Sequence, residues 1–223
     1  MTHPEEGRTI WEMITQREKA VAKAQARPAE TKPEFFNPLG LHLEDVALYT
    51  PGSERFRFQV TEIDVFDRGE AGKIVDYRLY QKPDGETPEL DRYLQVFPGE
   101  TQDGKPSADM LLLEWRFDAG YDQSVEDALE RGEFPIQGDE YQGFVRNQNR
   151  AVPFEANVTE IKIGGAPTTR RIKYWDFVRI KDGVTQDVFF IEYDLDTRRF
   201  DAYIATMVAG GAFLAVRNRA ELG

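Results

Sequence analysis

Hydrophobic and polar residues alternate with a period of two through most of this chain. In residues 55–66 (RFRFQVTEIDVF), Phe56, Phe58 and Val60 alternate with Arg57, Gln59 and Thr61, as they do along a strand with one buried face. The same reading predicts strands over 73–81, 92–98, 110–117, 140–149, 156–163, 170–180, 187–195 and 199–208. The last two form the best-defined hairpin. Phe189, Ile191, Tyr193 and Leu195 share a face continued by Phe200, Ala202 and Ile204, and the opposite face carries Glu192, Asp194, Arg199 and Asp201. Turns are predicted where Gly, Pro and Asp gather, at 67–72, 83–85, 164–167 and 196–198.

Two stretches follow the helical period instead. Residues 9–26 (TIWEMITQREKAVAKAQA) begin with a capping box, Thr9 with Glu12, and contain no Gly or Pro. The apolar residues of this helix, Ile10, Trp11, Met13 and Ile14, crowd its first two turns, so it must dock on the body or on another chain. Residues 27–33, with Pro28 and Pro33, read as a linker. A second, short helix is predicted from Ser124 and Asp127 to Gly132.

The strands repeat. Val60-Thr61-Glu62-Ile63 recurs as Val158-Thr159-Glu160-Ile161, an offset of 98 residues. At that offset Ile74 matches Ile172, Asp84-Gly85 matches Asp182-Gly183, and Tyr77 and Leu79 stand opposite Trp175 and Phe177. The predicted fold is therefore mainly β (α+β): a duplicated antiparallel module forming a barrel or sandwich, with an N-terminal helix and one short helix. The expected division is helix and linker over 1–33, a first β-module over 34–122, helix and connection over 123–150, and a second β-module over 151–223.

Tyr174-Trp175-Asp176-Phe177, Phe190-Ile191-Glu192-Tyr193 and Phe200-Asp201-Ala202-Tyr203 resemble a family of bacterial β-rich domains of unknown function. Asn37-Pro38-Leu39-Gly40-Leu41 and Tyr93-Leu94-Gln95-Val96 are similar to segments of the YjfK-like proteins. The resemblance covers residues 35–210 in outline. It implies the β architecture and a partner in a bacterial membrane-stress system of the PspA type; it brings no catalytic residues.

Composition narrows the chemistry. The absence of cysteine excludes disulfides, thiol nucleophiles and thiolate metal sites. Forty acids against 28 bases give a net charge of −12, which repels phosphate backbones and anionic bilayers, so no nucleic-acid partner is expected. The longest apolar run, 202–216, is shorter than the roughly 20 residues of a spanning helix, so no membrane insertion is expected. The N-terminus shows no secretory pattern, and a cytoplasmic location is expected.

Candidate sites are few. His3 and His42 stand apart from any nucleophile elbow, and no phosphate-binding glycine loop occurs. Glu192, Asp194 and Asp196 fall on one strand face and have the oxygens for a cation or for acid/base chemistry. Against that, Asp196 suits a turn, and an exposed Asp194–Arg199 cross-strand pair accounts for the rest. In Glu114-Trp115 and Trp175-Asp176 the Trp is expected in the core and the acid in water. Arg68, Lys73, Arg170, Arg171 and Lys173 read as turn flanks or partners of local acids. The expectation is a non-enzymatic adaptor, without metal or cofactor, that contacts another protein or a second copy of itself through Ile10, Trp11, Met13 and Ile14. The alternatives are a β-barrel binding an apolar or sugar-like molecule, lined by Trp115, Tyr174, Trp175 and Glu192, and a carboxylate-based hydrolase.

Overall fold

Strands with two differently composed faces must bury at least one of them, and this chain does so by closing a ring. The computed structural model describes residues 34–35, 38–83, 89–100, 106–148, 153–208 and 212–217. Two short strands, β1 (Glu34–Phe35) and β2 (Val46–Tyr49), come first. A four-stranded meander follows: β3 (Phe56–Asp67), β4 (Lys73–Gln81), β5 (Leu90–Glu100) and β6 (Pro106–Gly120). Helix α1 (Gln123–Glu130) and β7 (Phe144–Arg146) lead to a second meander. It comprises β8 (Phe154–Lys162), β9 (Thr168–Lys181), β10 (Val184–Asp194) and β11 (Arg199–Met207), and β12 (Phe213–Arg217) ends the order. β6 pairs with β11 and β3 with β8, both antiparallel, so the two meanders close an eight-stranded barrel. β2, β12 and β1 continue as a flap from the free half of β3, and β7 extends the wall beside β9.

The repeat meets itself at the closure. Ile63 pairs with Ile161, flanked by Glu62 with Lys162 and Asp64 with Glu160, so the two Val-Thr-Glu-Ile copies lie side by side about a local two-fold. At the same offset β4 falls on β9 and the inward or outward sense of each residue is kept. On β10 the sense slips by one, because that strand is bulged between Thr185 and Asp187. Asp84 and Gly85 lie outside the described residues. Their counterparts Asp182 and Gly183 form the two-residue turn expected of them, both at positive φ (53° and 76°).

Each wall has a covered exterior. Outside the first meander, Val60, Ile63, Val65, Val75, Tyr77, Leu79, Leu94 and Val96 pack under Leu41, Ala47 and Phe213. Outside the second, Trp175, Phe177, Phe189, Ile191, Tyr193, Phe200 and Ala202 pack under Leu129 of α1 and Phe144 of β7. Phe134 wedges against Phe177 and Phe189 edge-on, with centroids 5.1 and 5.0 Å away. Lys173 ties β9 to α1 through Glu126 (3.3 Å) and Glu130, and lies 5.3 Å over Trp175.

Helix α1 starts one turn feature earlier than the sequence indicates. Asp122, not Ser124, is its N-cap, accepting from the Ser124 amide at 2.8 Å. Its end is as predicted: Gly132 at φ +76 lets the Gly132 and Glu133 amides reach Leu129 and Ala128 carbonyls, both at 2.9 Å. The strand expected over 140–149 is reduced to β7, preceded by a 3-10 turn at Asp139–Tyr141. The N-terminal helix and its linker lie outside the described residues. Among the described residues, no helix is long and apolar enough to cross a membrane.

Candidate functional site

Inside the barrel, composition changes along the axis. Phe66, Ile74, Val158, Ile172, Val188 and Phe190 fill one stretch with an apolar plug. Two residues along the same strands, Asp64, Asp76, Arg170 and Glu192 take their place. Above them opens a cavity of about 740 Å³, lined by side chains from all eight barrel strands and reaching the turn at Asp196 and Thr197. That volume lies within the usual range for small-molecule sites, roughly 300–1,000 Å³.

Charge in this mouth is partly matched. Arg78 donates to both Asp91 oxygens, from Nε at 3.0 Å and Nη2 at 2.6 Å, and reaches Glu62 at 3.4 Å. Lys162 lies 2.8 Å from Glu160 and 3.5 Å from Glu62. Arg170 reaches Asp64 at 3.4 Å and Asp194 at 3.8 Å. Asp76 accepts from Gln95 Nε2 at 3.2 Å, yet its Oδ1 and the Oδ1 of Asp64 are buried without a partner. Glu192 is 5% exposed and faces the cavity; among the described residues it has neither a hydrogen bond nor an ion pair within 4 Å.

Burial without enough counter-charge favours the neutral acids. Burial pushes Glu192 up to about 7 against the pull of Arg170, and Asp201 and Asp194 add to the rise. Burial likewise pushes Asp64 up to about 7, opposed by Arg170 and reinforced by Glu62, Glu160 and Glu192. Asp76 is raised well above the carboxylate range by burial, with Glu192 and Asp64 adding to it. Burial works against the charge of Arg170, but Glu192 and Asp64 outweigh it and hold the guanidinium above its ordinary value.

An aromatic wall faces these acids. Tyr93 and Tyr203 meet edge-to-face at 5.6 Å, and Trp115 donates its indole N–H to Asp201 at 3.3 Å while staying 47% exposed. Glu62, Asp64 and Glu160 each bring one oxygen within 4.8 Å of the others, the spacing of a cation site, although Arg78, Lys162 and Arg170 already approach them.

Several sequence expectations are corrected here. The charged face of the β10–β11 hairpin points into the barrel, and its apolar face lies outside under α1, because both faces of this wall are covered. Asp194 stands opposite Arg199 in register, but the expected exposed pair does not form. Arg199 pairs with Asp118, and Asp194 caps its own turn, accepting from the amides of Asp196 (2.9 Å) and Thr197 (2.8 Å). Trp115 is not a core residue: it stands at the open end of β6, and Glu114 pairs with Arg92 (3.1 Å) and Arg116 (3.3 Å). Asp176 is fully buried rather than wetted, and receives Asn147 Nδ2 at 2.9 Å.

Of the residues expected to line a ligand, Trp115 and Glu192 do so. Tyr174 points inward but sits in the plug, its hydroxyl beside Gln95. Trp175 lies on the outer face, away from the cavity. Ile10, Trp11, Met13 and Ile14 lie outside the described residues. Sequence reasoning missed Asp64, Asp76, Tyr93 and Tyr203; Arg170, read as a turn flank or partner of local acids, does pair with Asp64 and Asp194, but inside the barrel. The available signal was an acid within an otherwise apolar strand, two residues from a core side chain, repeated on β3, β4 and β10. Comparison with protein-family models, curated proteins and solved structures gave no match.

Proposed function

We propose that this chain is a binding protein for a small polar molecule held in the barrel mouth. One observation carries the reading: a cavity of about 740 Å³ is walled by every barrel strand, and a buried carboxylate, Glu192, faces it without a partner. Buried polar groups are ordinarily satisfied, and a ligand donor is what this group lacks. The plug stops short of the mouth, and the charged lining disfavours a purely apolar occupant. The test is a thermal-shift screen of the full chain against uncharged polyols and small charged metabolites. A ligand at a hundredfold excess over its Kd adds about 2.7 kcal/mol of stability, and Trp115→Ala and Glu192→Gln should reduce that gain. If no compound raises the Tm, the reading fails.

A second reading has its own support. Glu192 and Asp64 both titrate near neutrality beside an aromatic wall, an arrangement suited to acid/base hydrolysis. Glu192→Gln would then abolish turnover of a cleavable substrate while the protein stayed folded. The adaptor contact through residues 1–33 is a separate proposal carried by sequence alone. Its test is a pull-down of the intact chain against the 34–223 fragment.

A further inference from the structure

The mouth's unmatched charge says which kind of molecule it takes. Glu62, Asp91 and Glu160 each have a cationic neighbour within 3.5 Å. Glu192 and Asp76 have none within ion-pair reach, and Asp201 has only the Trp115 indole. Arg170 is the one cation approaching the deep acids among the described residues, and it is shared between Asp64 and Asp194. The deep part of the cavity is thus an excess of carboxylate facing Tyr93, Tyr203 and Trp115. Carboxylates paired with ring faces form the combination that recognises ammonium groups, by ion pairing and by attraction to the negative faces of the rings.

A hard metal ion suits the place less well. Divalent ions collect several oxygens at roughly 2.0–2.6 Å, and the oxygens closest together, on Glu62, Asp64 and Glu160, are those that Arg78, Lys162 and Arg170 already approach. The cavity is also many times larger than a bare ion.

Resting on the binding reading above, we infer that the ligand is an organic cation, an alkylammonium whose positive group sits against Glu192 and whose carbon chain lies along Tyr203 and Trp115. Arg170 stays in place between Asp64 and Asp194. Binding requires Glu192 to be charged, so affinity rises with pH through neutrality. Besides burial, Arg170 on β9, Asp201 on β11 and Asp194 on β10 set this titration, and the Glu192 charge in turn raises Asp64 on β3, Asp76 on β4, Tyr203 on β11 and Tyr174 below.

The experiment is isothermal titration calorimetry of the full chain with spermidine and choline, with erythritol and CaCl2 as comparators, at pH 8 and pH 5.5. An amine should bind at pH 8 and more weakly at pH 5.5. Glu192→Gln should weaken it about thirtyfold or more, the usual consequence of removing one partner of a buried charge pair. Trp115→Ala, at the exposed rim of the cavity, should weaken binding severalfold without lowering the Tm. If erythritol binds and neither amine does, the charge inference is overturned and the binding reading stands. If only Ca²⁺ binds, and Glu62→Gln abolishes it, the site is a metal site and the inference is overturned. If nothing binds here or in the wider screen, both fall together.

Discussion

The two ends of the barrel interior are made by the same strands and differ in almost every physical respect. Phe66 and Asp64, Ile74 and Asp76, Ile172 and Arg170, and Phe190 and Glu192 each stand two positions apart on one strand. At one end the side chains fill the ring with mostly apolar atoms, the Tyr174 hydroxyl meeting Gln95. At the other, carboxylates are desolvated faster than cations are supplied, leaving orphaned oxygens on Asp64 and Asp76. The plug contributes stability and the mouth costs some, which is the usual price of a preorganised site. Separating the two contributions is the most direct way to test this division.

Removing the plug should produce the largest effect. Phe190→Ala leaves a void in the fully buried layer and should cost about 3–5 kcal/mol, read as a lower midpoint in urea unfolding. Arg170→Leu comes next: it strips the shared cation from Asp64 and Asp194 and should cost on the order of 2–4 kcal/mol at pH 8. At pH 5.5 the penalty should shrink, because the acids it leaves behind can take up protons.

The mouth predicts a pH dependence opposite to ordinary acid unfolding. Asp64 and Glu192 keep their protons in the folded state at pH values where the unfolded chain has lost them. Stability should therefore fall as pH rises between roughly 4.5 and 7, by up to about 1.4 kcal/mol per pH unit for each group. Glu192→Gln should remove its share of that slope and gain about 1–2 kcal/mol at pH 8, measured by denaturant titration at several pH values. The smallest effect belongs to Trp115→Ala, within about 0.5 kcal/mol of wild type, because its side chain stands in the open mouth.

The strands were legible in the sequence because alternation is a direct image of the pleat. The segment 73–81 is recovered residue for residue as β4, and the hairpin 187–208 keeps its predicted pairing. The repeat was legible as matched segments, but that its two copies pair directly, Ile63 against Ile161, comes from the structure. The site was harder, for a physical reason. Alternation tells which residues share a face but not which face is inside, and here both faces are covered. Phe189, Ile191 and Tyr193 satisfy the pattern from the exterior, under α1, so the acids opposite them, Glu192 among them, lie inside the ring rather than on an exposed face. The two tryptophans, expected alike, differ in the same way: Trp175 is core but outside the ring, and Trp115 lines the cavity at its rim.

The pairing of β3 with β8 also sets an order of events. Ile63 of β3 is translated 98 residues before its partner Ile161, and until then the edge of β3 has no neighbour along Glu62–Asp67. A nascent chain would therefore carry an open seam, with Ile63 and Val65 beside unpaired amides, the condition under which strands join the wrong molecule. Completion of the ring is a late, long-range step, and refolding should be slow for a protein of this size.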